Sequence, residues 1–104
     1  MTEIDKNAEL LRVQLNGETS RLQWKELLRF FAAGTVIAVS DELDLVDVAV
    51  RIAIDDKNAV AQWMTQGRVG KVSDAQASAW LEADAALWTV VVKPWILVQR
   101  EKNH

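Results

Sequence analysis

Apolar residues in the first part of the chain recur at helical spacing. Leu10, Leu11 and Leu15 predict the apolar side of a helix over residues 3–15. Asn16 and Gly17 follow at once, and both residue types tolerate the left-handed conformation in which helices commonly end. The pattern therefore predicts a first helix that ends at residue 15.

A second amphipathic segment follows. Ser20-x-x-Gln23 has the spacing of a capping box, in which two side chains satisfy free amides at a helix start. Four large apolar residues then fall at i, i+3, i+4 and i+7, on one helical face. They are Trp24, Leu27, Leu28 and Phe31. The spacing predicts a helix to about residue 33, stopped by Gly34.

The stretch GTVIAVSD at residues 34–41 returns as GRVGKVSD at residues 67–74. In each copy we interpret Gly as a helix end, the Val-containing centre as a strand, and Ser-Asp as the start of another helix. TVIAV is apolar on both faces, which indicates a strand inside a sheet, whereas RVGKV indicates an edge. The repeat predicts a structural joint used twice, since it lacks the further glycines and the lysine of a phosphate-binding loop.

The segment at residues 42–55 is apolar around most of a helix. Its charged positions beyond the first turn form one narrow stripe of Asp44, Asp47, Arg51 and Asp55. A helix this apolar must be covered on several sides. It is therefore either the central helix of the fold or a helix partly buried by a second subunit.

The last third of the chain predicts two further helices and a strand region. A short helix carries Trp63 and ends at Gly67, and a second capping box, Ser73-x-x-Gln76, starts the next. The final LWTVVVKPWILVQR is rich in β-branched residues without alternation, which indicates a strand covered on both faces. Pro94 marks a bulge, an edge or a break between two strands.

These elements together predict an α+β fold. We expect about five helices packed on a small sheet of three or four strands, with the helix–Gly–strand–Ser-Asp–helix unit used twice. No linker or low-complexity segment divides residues 1–104, so a single domain is expected, with residues 1–5 and 101–104 fraying. The helix at 42–55 should lie across the sheet, and the Val-rich strand should be central or at a subunit interface.

Composition leaves little for catalysis. The chain has no Cys and no Tyr, and its single His is the final residue, His104. A residue at a frayed terminus is poorly placed to act as a general base. Three of the serines are explained as helix caps. We therefore predict no enzymatic activity and no cofactor.

Two acidic residues are weak metal candidates, with Asp41 or Glu42 as a possible further ligand. Asp44 and Asp47 share a helical face and could chelate a hard cation. The alternative, which we favour, is that both complement the positive end of the helix and that Asp47 pairs with Arg51.

A helix-turn-helix interpretation applies to residues 46–69, where two helices joined by a short turn precede a possible wing. Its groove-facing set would be Lys57, Asn58, Gln62, Gln66 and Arg68. Asp55 and Asp56 would then meet phosphates, and the net charge of −3 gives no general attraction to nucleic acid. Nucleic-acid binding is thus the alternative function, and it is not the favoured one.

Apolar surface in excess of what a small sheet can cover indicates self-association. The interface candidates are Val48, Val50, Ile54, Trp95 and Ile96. Most of the five Trp residues fall on inner helix faces and predict a Trp-rich core, whereas Trp95, beside Pro94, is the best candidate for a partner contact. The leading hypothesis is a non-enzymatic interaction or structural module that forms a homo-oligomer, with a dimer favoured.

The same features bear on cellular location. No run of apolar residues is long enough to span a membrane, and the acidic, polar N-terminus is unlike a signal peptide. A cytoplasmic protein is the simplest expectation.

Three segments also resemble a known family. They are WxELxRFFAxG at residues 24–34, LDLVDVA at 43–49 and LWxVVVxPWILVQ at 87–99. Over about residues 15–99 the chain is similar to a family of small uncharacterised bacterial proteins catalogued as a domain of unknown function. The resemblance implies a stand-alone bacterial cytoplasmic protein and adds no mechanism.

Overall fold

The structure, a computed structural model, describes the backbone of residues 3–101 and the side chains of residues 7–101. Within that range the chain forms five α-helices, one 3-10 helix and five strands. The α-helices are α1 (Glu3–Glu18), α2 (Leu28–Ala32), α3 (Leu45–Ala53), α4 (Lys57–Thr65) and α5 (Asp74–Glu82). The strands are β1 (Ser20–Gln23), β2 (Val36–Val39), β3 (Val69–Lys71), β4 (Ala86–Val92) and β5 (Trp95–Arg100). The 3-10 helix, Trp24–Leu27, leads directly into α2.

The strands of the described range form one mixed sheet in the order β1-β4-β5-β2-β3. Only β2 and β5 run parallel, and the other neighbours are antiparallel. The α+β class is therefore confirmed. The predicted strand number is wrong, because the sheet has five strands rather than three or four.

Helices cover both faces of the sheet. On one face, α1, α3 and α4 contribute to a core that includes Leu15, Val48, Val69 and Leu97. On the other, the 3-10 helix, α2 and α5 contribute to a second core with Trp24, Ala77 and Val98. Successive side chains of a strand point to opposite faces, so β5 supplies Leu97 to the first core and Ile96 and Val98 to the second.

Helix α3 is central, as one of the two sequence-based alternatives proposed. Its apolar side chains Leu45, Val46, Val48, Ala49 and Val50 are buried. They pack against the sheet between α1 and α4, and Asp47 on the remaining side accepts a hydrogen bond from Arg12 of α1. The apolar circumference that suggested a second subunit is thus covered by the same chain.

The first strand, β1, replaces a predicted helix start. Ser20–Gln23 pairs with β4 as an edge strand, and α1 continues through Gly17 to Glu18. The capping interaction lies three residues later, where Gln23 N donates to Glu26 at 3.1 Å. Ser20-x-x-Gln23 therefore does not act as a capping box, because these residues pair with β4.

The duplicated joint is present in both copies. Gly34 and Gly67 have φ values of +76° and +72°, the left-handed helix end that the sequence predicts. Their strands, β2 and β3, pair with each other, β2 inside the sheet and β3 at its edge. Ser73 caps α5 as expected, with Gln76 N donating to its hydroxyl at 3.1 Å. In the first copy the prediction is wrong by a few residues, because Asp44 rather than Ser40 or Asp41 caps α3.

The C-terminal segment is a hairpin rather than one strand. β4 and β5 pair from Val92↔Trp95 to Leu87↔Arg100, and the Lys93–Pro94 peptide at their turn is cis. This confirms Pro94 as a break between two strands, and β5 is the middle strand of the sheet. Of the ends expected to fray, residues 3–5 lie in α1 and Glu101 pairs with Arg21 at 2.9 Å. Residues 1, 2 and 102–104 lie outside the described range.

The second core makes a direct prediction for stability. Trp24 has no exposed surface and meets Phe31 and Trp80 edge-on, at ring-centroid distances of 5.5 and 5.1 Å. Trp24→Ala should lower the free energy of unfolding by about 3–5 kcal/mol, because it removes a large buried ring and leaves a cavity. Urea denaturation measures the change.

Trp88→Ala is the matched control, since Trp88 is 40% exposed. Its loss should be at most about 2 kcal/mol. Trp24→Phe should lie between the two values. Equal losses for Trp24→Ala and Trp88→Ala would contradict the placement of Trp24 at the centre of the second core.

Candidate functional site

An apolar cleft of about 380 Å³ lies between the α3–α4 helix pair and the end of the sheet. We refer to it as the α3–α4 cleft. Its apolar lining includes Ile37, Ile52, Val60, Met64, Val69 and Trp95. These residues come from two helices and three strands, so the cleft exists only in the folded chain. A mostly apolar hollow with a few charges at its rim is the usual form of a ligand site.

The turn between the helices builds one wall of the cleft. Helix α3 ends at Ala53, and Asp55 adopts a left-handed conformation with φ +60°, which reverses the chain. Asp56 then caps α4 by accepting a hydrogen bond from Ala59 N at 3.2 Å. Asp and Asn tolerate such conformations better than other side chains, so two adjacent Asp residues suit a tight helix–helix turn.

The charges on the helix side of the cleft are paired. Arg51 contacts Asp56 at 3.3 Å, and Lys57 lies 3.9 Å from Asp55. Lys71 stands on the sheet side, paired in register with Ile37. Within residues 7–101, no side-chain carboxylate lies within 4.0 Å of the Lys71 ammonium group. The rim therefore presents one cation without an acidic neighbour.

A second hollow of about 760 Å³ follows the open edge of β3. Trp80 and Gln76 of α5 line one part of it, and charged residues line another. Four of these charges form two pairs, Arg68 with Glu42 at 3.1 Å and Arg100 with Asp41 at 2.6 Å. The remaining cation is Lys71, which lines both this hollow and the α3–α4 cleft. This hollow is wider and more polar than the α3–α4 cleft.

A buried amide connects the centre of the sheet to the loop before α3. Gln99 Nε2 donates to the carbonyl oxygens of Ser40 at 2.8 Å and Leu43 at 2.7 Å. Sequence analysis missed this residue because it treated ILVQ as uniformly apolar. Its signal was available, since a lone amide side chain in a buried strand must find hydrogen-bond partners.

The described residues contain no cluster of the side chains that commonly bind a catalytic metal ion. No group of three or more His, Asp or Glu residues lies close enough there to hold a metal ion. His104 lies outside the described range. The absence of enzymatic activity and of a cofactor stays a prediction.

One family model matches residues 10–100, nearly the whole chain, and its description is "Protein of unknown function (DUF2288)". The chain belongs to this family. The resemblance inferred from three sequence segments is thus confirmed.

A solved structure similar to this DUF2288 chain is the "NMR solution structure of PA1075 from Pseudomonas Aeruginosa". The two sequences are 40% identical, the alignment covers 99% of this chain and 93% of that one, and the TM-score is 0.79. No curated protein matches the chain. Throughout the described part of the molecule, the helices are too short or too polar to cross a bilayer.

The DUF2288 structure gives both metal candidates a structural partner. Asp44 caps α3 by accepting from Asp47 N at 3.0 Å, and Asp47 itself pairs with Arg12 of α1. The predicted Asp47–Arg51 pair does not form, because Arg51 points to the α3–α4 turn and contacts Asp56. The arginine that pairs with Asp47 comes instead from helix α1. The sequence predicts this helix but not its position beside α3.

Three interface candidates are buried in the single chain. Val48, Val50 and Ile96 lie in the two cores of the DUF2288 fold, and their placement on a surface for a second subunit is corrected accordingly. They are buried because α1, α4 and the sheet cover α3, while β2 and β4 flank β5. Ile54 and Trp95 are half-buried, and Trp95 lines the α3–α4 cleft.

The five nucleic-acid candidates are all exposed on α4 or just after it. Lys57 and Asn58 lie in the first turn of α4, Gln62 in its middle, and Gln66 and Arg68 beyond its end. Both cations have acidic neighbours, Asp55 for Lys57 and Glu42 for Arg68. The set is spread over α4 and the loop that follows it, and it carries little net positive charge.

Gln99 generates a stability prediction. Gln99→Leu should lower the free energy of unfolding by about 1–3 kcal/mol, because the carbonyl of Leu43 loses its partner in a partly buried loop. Urea denaturation of both proteins measures the difference. Gln66→Leu at the exposed end of α4 is the control and should change stability by at most about 0.5 kcal/mol. Similar losses for the two variants would argue against an anchoring role for Gln99.

Proposed function

We propose that this DUF2288 protein is a non-enzymatic interaction module of the bacterial cytoplasm that forms a homodimer through the outer face of α1. The observation that carries the proposal is the exposure of Leu10 and Val13, at 69% and 74%. No other large apolar side chain among residues 7–101 is as exposed as either.

The two residues form a continuous apolar patch. They are three positions apart, so they are neighbours on one face of the helix. The opposite face of α1 carries Ala8, Leu11 and Leu15, which pack into the first core. An outer face of this kind is covered simply by the same face of a second copy, since two-fold pairing places each patch against its equivalent. We call Leu10 and Val13 the α1 patch.

The apolar area of the α1 patch limits the strength of the proposed dimer. Full burial of a Leu or Val side chain contributes about 1.5–3 kcal/mol, so four such side chains contribute about 6–12 kcal/mol in total. Association costs about 4–15 kcal/mol in lost translational and rotational freedom. Because the two ranges overlap, a dimer held by these four side chains alone should be weak and should form only at high protein concentration.

The proposed location rests on composition and on the neighbour. The absence of Cys suits a reducing compartment, where disulfides do not form. The similar solved structure comes from a bacterium. Both observations support a bacterial cytoplasmic protein.

Self-association is tested by sedimentation velocity from about 10 µM to about 500 µM, the range in which a weak dimer forms. The unmodified protein should shift from monomer towards dimer. The Leu10→Gln/Val13→Gln double variant should remain monomeric with an unchanged circular dichroism spectrum, because both positions are exposed and Gln is a good helix former.

Leu28→Gln/Leu81→Gln provides the control. It removes two exposed leucines, at 39% and 52% exposure, from α2 and α5 on the other side of the sheet. This variant should dimerise like the unmodified protein. The proposal would be refuted if the unmodified protein stayed monomeric at the highest concentration, or if both double variants lost the dimer equally.

Nucleic-acid binding is the second candidate. The observation in its favour is the order of elements: α3, a three-residue turn and α4, then β3 after a three-residue loop. The polar side of α4 is exposed. Asp55 and Asp56 at the start of α4 act against it, because they would approach phosphates.

Under this candidate, duplex DNA should bind weakly at low salt in fluorescence anisotropy. With two phosphate contacts, log K against log salt should have a slope of about −1.8. Lys57→Gln/Arg68→Gln should abolish binding, whereas Arg21→Gln/Lys25→Gln on the β1 side should retain it. Equal affinities for the two double variants, or no binding at low salt, would remove the candidate.

A further inference from the structure

The α3–α4 cleft is the starting point for a separate inference, since no residue of the α1 patch lines it. Its floor consists of side chains that meet from distant parts of the sequence, including Ile37, Val60 and Trp95. Trp95 is only half-buried there. The cleft therefore offers an indole ring and aliphatic side chains to an apolar group from outside the chain.

The charges around the cleft are not evenly distributed. On the helix side, Asp55 and Asp56 are each matched by a cation, Lys57 and Arg51 respectively. On the sheet side, Lys71 has no carboxylate within salt-bridge distance among the side chains of residues 7–101. The rim thus carries three cations against two carboxylates, and the surplus positive charge lies at Lys71.

The Lys71 ammonium group lies near the first copy of the duplicated joint. A Cβ atom placed on Gly34 would lie 3.7 Å from Lys71 Nζ. Gly34, which ends the segment before β2, therefore leaves room beside the ammonium group, while the Lys71 backbone is held in register with Ile37. The lysine side chain crosses from the edge strand towards the start of β2.

We propose that the α3–α4 cleft binds a small organic monocarboxylate with an apolar body. The apolar body lies against Trp95, Ile37 and Val60, and the carboxylate group is held at Lys71 Nζ. A volume of about 380 Å³ is near the lower end of the range for small-molecule sites. A medium-chain carboxylate suits this volume better than a lipid with two long chains.

The two parts of the ligand have different roles. Each methylene buried in the cleft should raise the affinity about fourfold, as for other apolar groups removed from water. An exposed ion pair contributes less, so the carboxylate should raise the affinity about two- to fivefold over a neutral group of the same size. The apolar body therefore determines affinity, and Lys71 determines the preference for an anion.

The test compares octanoate with octan-1-ol by ¹H–¹⁵N NMR titration of the full chain. Octanoate should shift signals of residues lining the cleft, including the Trp95 indole N–H, and should bind about two- to fivefold more tightly than octan-1-ol. Hexanoate should bind more weakly than octanoate because it buries fewer methylenes. Shifts confined to other parts of the chain, or no shifts at millimolar octanoate, would overturn the proposal.

Two variants separate the contributions. Lys71→Gln should remove the preference for octanoate over octan-1-ol while both still bind, and Lys25→Gln, at an exposed lysine outside the cleft, should retain it. Ala61→Trp should block both ligands by filling the cleft, and Ala75→Trp on the exposed surface of α5 should not. An octanoate preference that survives Lys71→Gln would refute the assigned head-group contact. Dimerisation in these variants is governed by the α1 patch and is read separately.

Discussion

The burial of both faces of β5 is the constraint on which the rest of the structure depends. Leu97 lies in one core and Ile96 and Val98 in the other, so helices must cover the sheet on both sides. The parallel pairing with β2 and the antiparallel pairing with β4 place β5 in the middle of the sheet. Helix α3 packs over this centre. The α3–α4 turn lies beside β2 and β3, and the cleft forms between the turn and these strands. Gln99, at the end of the same strand, ties the loop before α3 to the sheet.

Sequence patterns predicted those elements whose own composition determines their environment. The apolar character of α3 predicts burial, and five of its side chains, from Leu45 to Val50, are buried. The apolar C-terminal segment predicts a strand covered on both faces, which holds for β5 but not for β4, where Trp88 and Val91 are exposed. What covers α3 and β5 is a property of the tertiary structure. For this reason the same pattern fitted a second subunit as well as the α1 and α4 helices that in fact pack there. Strand β1 was missed because the local sequence Ser20–Gln23 suits an edge strand and a helix start equally well. Its pairing with β4, which local sequence does not reveal, makes it a strand.

The candidate site was harder to predict than the fold. The α3–α4 cleft joins Ile37, Val60 and Trp95, which are far apart in the chain, and no local spacing indicates that they meet. Sequence analysis did single out Trp95 as an aromatic residue in an unusual position. It considered Asp55 and Asp56 mainly as charges that would oppose phosphates, whereas the structure gives them a conformational role, Asp55 as a left-handed turn residue and Asp56 as a helix cap. The charges near a cleft could be counted from the sequence, but their pairing could not.

The short edge strand β3 has a consequence for the aggregation of this protein. A sheet edge with free amide and carbonyl groups is a template on which another strand can add, and repeated addition leads to aggregation. β3 contains only three residues, including Gly70, which has no side chain, and Lys71, whose charge repels its equivalent in another copy. Open-ended growth of the sheet is therefore disfavoured at this edge.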